Sequence, residues 1–169
     1  MSDWEPLRPA DAAELLGGLD VPWWIAGGWA LDALAPRAHE DLDVMVLQRD
    51  VDRVVAALPG WELDDKGNSV WARPPGTERW HLEFVLDDAD GDTWRYRRDA
   101  RVTRPLDSLG VPRGPLAPEV VLLYKAKDDG EKARSDFAAV VPLLAADARA
   151  WLRNAVALAH PDSAHLAVL

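Results

Sequence analysis

Two aspartates one residue apart, Asp41 and Asp43, stand in the stretch HEDLDVMVL, whose apolar residues read as a β-strand. Side chains on a strand alternate between faces, so both carboxylates project to one side while Leu42, Val44 and Val46 turn to the other. Two steps along the strand separate them by roughly 7 Å, a spacing that offers several hard oxygen ligands to a cation such as Mg²⁺. Just upstream, Gly27-Gly28 closes an apolar segment and opens a short helix. That arrangement aims bare backbone N–H groups at whatever lies in front of it, which suits phosphate. Each feature alone is ordinary: aspartates on strand ends are usually just solvated, and a glycine pair often only turns the chain. Side by side they point to metal-assisted transfer of a nucleotidyl or phosphoryl group.

A third carboxylate belongs with them. Between Trp80 and Leu86, residues Leu82, Phe84 and Leu86 share one face of a strand and His81, Glu83 and Val85 share the other. Glu83 thus sits on an apolar-alternating segment that has the look of a central strand, where an acid calls for a reason.

The elements that must position these groups follow from periodicity and breakers. A short helix begins at Pro9-Ala-Asp11, and Gly17-Gly18 ends it. Strands are expected at Val21 to Ala26 and Leu42 to Leu47, joined by a helix from Gly28 to Ala35 that Pro36 stops. A helix from Asp50 to Leu58 carries Val51, Val54, Val55 and Leu58 at helical spacing. A meander follows over Trp61–Leu63, Val70–Arg73, Trp80–Leu86 and Thr93–Arg97, with glycine turns between. The acidic run Asp87 to Asp92 reads as a solvated turn, or as negative charge beside an acceptor site. From Ala117 the pattern becomes helical. Pro118 occupies a first turn, a second helix spans Glu131 to Leu144 with a kink at Pro142, and a third spans Asp147 to Ala159.

Composition narrows the function classes. The 169 residues carry a formal charge of −10, which argues against a nonspecific nucleic-acid binder and suits a cationic small substrate. Cysteine is absent, so there is no disulfide framework, thiolate metal site or cysteine nucleophile. The N-terminus does not read as a signal peptide, and no apolar run approaches the ~20 residues of a membrane span. The expectation is a cytoplasmic protein, either monomer or homodimer.

The segment GGWALD followed by R-x-H-E-D-L-D-V, together with APEVVLLYKAK and KARSDFAAVVPLL, resembles the nucleotidyltransferase superfamily related to DNA polymerase β. It looks closest to the aminoglycoside 2″-adenylyltransferase-like proteins. The resemblance implies an α/β (α+β) fold: a mixed sheet with flanking helices over residues 1–112, then a helical subdomain over 113–169. It implies ATP as co-substrate, two Mg²⁺ ions held by Asp41, Asp43 and Glu83, and Glu83 as metal ligand or base toward an acceptor hydroxyl. By the same likeness Gly27 and Gly28 clamp the triphosphate and Lys125 contacts phosphate. Trp29 stacks on a base or sugar or simply joins the core, and Arg37 and His39 contact phosphate or shape their loop. The implied acceptor is a small cationic molecule such as an aminoglycoside. The alternatives are a same-fold enzyme modifying protein or tRNA, as in toxin–antitoxin modules, and a non-catalytic nucleotide-binding module. One departure stands out: the resemblance expects an aspartate where this chain has Ala133.

Overall fold

The computed structural model describes residues 3–169. Its centre is a parallel pair of strands, β2 (Asp43–Leu47) and β5 (Leu82–Asp90), flanked by β1 (Trp23–Ile25) on one side. On the other side lie β4 (Ser69–Arg73) and β3 (Glu62–Asp65), giving the order β1-β2-β5-β4-β3 with every pair but β2/β5 antiparallel. The far end of β5 leaves that ladder and pairs with β6 (Thr93–Arg95), which in turn pairs with β7 (Thr103–Pro105).

Both faces of the central strands are covered, as expected for parallel strands. Helices α1 (Pro9–Leu15) and α2 (Val51–Ala56) close one face, where Ala12, Leu16 and Val54 pack with Val44, Val46, Leu82 and Phe84. Helices α3 (Pro118–Lys125), α4 (Glu131–Val140) and α5 (Ala146–Ala159) supply the other layer, where Met45 and Trp24 pack with Val120, Leu123, Phe137 and Leu152. Among the described residues no helix is long and apolar enough to cross a membrane.

Three elements differ from the sequence expectation. The helix expected from Gly28 to Ala35 is a 3₁₀ turn at Trp29–Leu31; Pro36 leaves too few residues for a stable α-helix to nucleate. The acidic run is not one solvated turn. β5 continues through Asp90, Asp87 is buried, and the reversal is confined to Gly91-Asp92, with Gly91 at φ 56°. Asp87 tolerates burial because Trp94 and Tyr124 donate hydrogen bonds to it. The edge strand β7 was not anticipated; Pro105 is acceptable there because β7 has a partner on one side only.

Candidate active site

Asp43 opens β2 and Glu83 lies opposite it in register on β5, with Val44 opposite Phe84 and Met45 opposite Val85. In a parallel ladder, register partners point the same way from neighbouring strands ~4.8 Å apart. Leu82, Phe84 and Leu86 fill the α1/α2 side, so Glu83 and Val85 face the α3 side. Asp41 sits just before β2, exposed to solvent. All three carboxylates, with Gly27 and Lys125, line one cavity of about 520 Å³ between Met45 and Val85 of the sheet and Val121 and Tyr124 of α3. That volume is ordinary for a small-molecule site.

Electrostatics sets this corner apart. The Asp43 carboxyl is raised to about 7, first by burial and then by the charges of Asp41 and Glu83, against the opposing pull of Lys125 and Lys132. An all-oxygen set of mutually repelling carboxylates is the donor chemistry that a hard divalent cation relieves, so the residues present fit Mg²⁺. Among the described residues, however, no three His, Cys, Asp or Glu side chains are already drawn together as a metal cluster.

The two glycines serve different ends. Gly27 has φ 57°, a left-handed conformation, and a Cβ there would collide with Asp43 Oδ2. Its bare backbone therefore lies against the carboxylate. Gly28 has an ordinary helical φ of −65°. Its constraint is space, since a Cβ would lie 2.7 Å from His39 Nδ1 and 2.9 Å from Arg37 Nη2.

Gly28, Trp29 and Arg37 do not line the cavity. Trp29 lies against His39 with the rings tilted by 32° and their centroids 4.2 Å apart, and it packs against the α1/α2 core. His39 Nε2 lies 2.8 Å from Asp32 Oδ1, which also accepts the Arg37 backbone N–H at 3.4 Å. Asp32 thus knots the loop ahead of β2. The Arg37 side chain reaches Asp136 of α4 at 3.1 Å, and Lys125 reaches the same Asp136 oxygen at 2.9 Å. Asp136 is only 2% exposed. Glu40 is exposed and faces Lys132 at 3.5 Å.

Sequence reasoning did not assemble the rest of the cavity: Arg97, Arg98, Tyr124 and Asp128, with Lys127 beside Lys125. The arginines follow β6, and only the β5–β6 pairing carries them under α3.

A family model described as aminoglycoside-2''-adenylyltransferase matches residues 10–73, a segment running from α1 to β4 and holding Gly27, Gly28, Asp41 and Asp43. Over this segment the match agrees with the family resemblance read from the sequence. Glu83 and Lys125 lie beyond the matched segment. Two solved structures share the fold. The solution structure of the antibiotic-resistance factor ANT(2'')-Ia aligns at 17% identity over 88% of this chain and 92% of that one, with TM-score 0.62. The crystal structure of ANT(2'')-Ia in complex with adenylyl-2''-tobramycin aligns at 18% identity over 89% and 94%, with TM-score 0.58. The chain therefore has the fold of ANT(2'')-Ia, a mixed sheet followed by C-terminal helices. No curated protein sequence matches it significantly.

Proposed function

We propose that this protein is a Mg²⁺-dependent adenylyltransferase of the cytoplasm that moves AMP from ATP to a hydroxyl of an aminoglycoside. The observation that carries the reading is the convergence of Asp41, Asp43 and Glu83 on one cavity wall beside the left-handed Gly27. Asp41, Asp43 and Glu83 would hold Mg²⁺, two ions in the family pattern. When bound, the metal neutralises charge building on the phosphoryl oxygens.

The chain's own groups supply the remainder. Gly27 brings backbone against the phosphates without a side chain in the way. Lys125 adds positive charge at the same wall. Glu83 takes the proton of the acceptor hydroxyl as its oxygen bonds to the α-phosphorus. The bond from the α-phosphorus to the oxygen bridging the β-phosphate breaks, and pyrophosphate departs with that electron pair. The net charge of −10 favours a polycationic acceptor, and the adenylylated tobramycin bound by the structural neighbour suggests the 2″-hydroxyl.

The test is transfer from ATP labelled at the α-phosphate, offered tobramycin and other aminoglycosides, lincosamides, tRNA and proteins. Mg²⁺-dependent label on an aminoglycoside is the expected result. Label appearing only on macromolecules, or none on any acceptor, would overturn the assignment.

A further inference from the structure

The cations expected from the sequence to meet phosphate are already committed. Arg37 and Lys125 share the buried carboxylate of Asp136, at 3.1 and 2.9 Å. The cavity nevertheless holds other positive groups, Arg97, Arg98 and Lys127, and among the described residues none of them has a carboxylate within ion-pair distance. Arg97 is the most compensated: it donates to the carbonyls of Asn68 and Leu86 at 2.9 and 3.3 Å and lies near enough to Asp87 to act on its charge. Asp128, also on the cavity wall, turns its carboxylate to the backbone N–H of Gly130 at 2.9 Å. Arg98 and Lys127 are left.

Arg98 is held in place on one nitrogen. Its Nη1 donates to the Tyr124 carbonyl at 2.9 Å and to the Tyr96 hydroxyl at 3.0 Å, and Tyr96 meets His160 Nε2 at 2.8 Å. The guanidinium also lies 5.3 Å from the Tyr124 ring centroid. A guanidinium presents five N–H donors in a rigid fork, and its hydrogen bonds to the described residues use Nη1 alone. The other nitrogens keep their donors for a ligand, in the geometry that matches phosphate oxygens. Arg98 and Lys127 also act together on His160, whose pKa is lowered by burial and then by these two charges. Asp99 opposes them there, and both cations lie apart from Lys125 and Lys132, which act on Asp43.

We propose that Arg98 and Lys127 form a polyphosphate-binding site that holds the β- and γ-phosphates of the triphosphate and then the departing pyrophosphate. This rests on the nucleotidyltransferase reading above. It moves the main phosphate contact from Lys125, which Asp136 already holds, to a pair with no carboxylate at ion-pair distance among the described residues. A triphosphate so held runs from the carboxylate wall to the arginine wall, with its α-phosphorus at the acidic end.

The probe is inorganic pyrophosphate, titrated calorimetrically without nucleotide or acceptor. Arg98→Gln and Lys127→Ala should each weaken its binding on the order of tenfold, the loss typical of a charge-assisted contact. Arg98→Lys should recover part of it, and the same variants should show weaker product inhibition by pyrophosphate with the acceptor KM unmoved. Unchanged pyrophosphate affinity in a folded Arg98→Gln protein overturns the proposal, as does a loss confined to acceptor affinity. Asp43→Asn separates the two claims: it should abolish transfer yet leave metal-free pyrophosphate binding in place. Binding that depends on Arg98 in a protein that labels no aminoglycoside keeps this site and removes only the acceptor assignment.

Discussion

Asp43 and Glu83 are direct register partners on the parallel strands β2 and β5. Two carboxylates far apart in the chain are thereby fixed at one strand spacing, by backbone hydrogen bonds rather than by flexible side-chain contacts. Such fixation costs folding energy while the site holds no cation, because like charges are kept together in a half-buried corner.

That cost has a pH signature. The folded Asp43 titrates at about 7 against 3.8 for the free side chain. Between about pH 4 and pH 7 the folded state therefore keeps a proton that the unfolded state has released, and stability falls as pH rises through this window. Calorimetric unfolding in EDTA should show the fall, and added Mg²⁺ should reverse it above pH 7. Asp43→Asn should flatten the slope and raise the metal-free Tm at pH 8 by a few degrees, at roughly 2–4 °C per kcal/mol for a chain of this size. The same variant should lose Mg²⁺-dependent transfer. A less stable Asp43→Asn protein would contradict the strain.

The glycine pair yields a second expectation. Gly27→Ala meets both a left-handed φ of 57° and the Asp43 carboxylate. It should cost about 1–2 kcal/mol in backbone strain alone and push Asp43 off its place. Gly28→Ala keeps a favourable φ and presses on His39 and Arg37 instead. Steady-state kinetics should therefore find the larger drop in kcat for Gly27→Ala; equal losses would argue that Asp43 is not the sensitive partner.

How much of this was readable beforehand depends on whether the information was local. Asp41, Asp43 and Gly27 lie within one strand–turn–strand unit, and Glu83 betrays itself by alternating with Leu82, Phe84 and Leu86. Strand alternation sets the facing of such groups whatever packs on top. Arg98 and the double pairing of Asp136 had no such cue, because each depends on how α3 and α4 dock across the sheet. The acidic run misled for a related reason: charge in sequence reads as solvated, whereas Asp87 is buried and finds two donors supplied by β6 and α3. Ala133, where the resemblance expects an aspartate, is buried at 3% exposure, and Arg37 and Lys125 both pair with Asp136.

Asp136 is accordingly the third target. Removing it as Asp136→Ala leaves Arg37 and Lys125 as two poorly solvated cations without a counter-charge, 24% and 20% exposed. Breaking a buried pair from one side costs about 3–5 kcal/mol, and chemical denaturation should register a loss of that order. Replacing all three residues with apolar ones should cost less than the single change. If Asp136→Ala is neutral, the shared carboxylate does not join α4 to the site.

Asp87 offers the last and most separable test. It is 1% exposed, and its Oδ2 accepts from Trp94 Nε1 at 2.7 Å and from the Tyr124 hydroxyl. Burial raises its carboxyl to about 6 despite those hydrogen bonds, while the Tyr124 phenol is held well above its usual value, chiefly by burial and then by Asp87. Tyr124 thus stays protonated and donating throughout the working range. Because the folded value exceeds the unfolded 3.8, stability again falls as pH rises, here between about pH 4 and 6 and by about 3 kcal/mol. Asp87→Asn keeps an acceptor for both donors and cannot titrate, so it should lose that part of the slope while remaining folded. Asp87→Ala strands the buried Trp94 indole N–H, at about 1–3 kcal/mol, and leaves the half-buried Tyr124 hydroxyl without its acceptor, so it should be the less stable variant at every pH. Comparing urea midpoints of the two variants at pH 4.5 and 6.5 separates the titration from the hydrogen bonds; an unchanged slope in Asp87→Asn would assign the pH dependence to Asp43 alone.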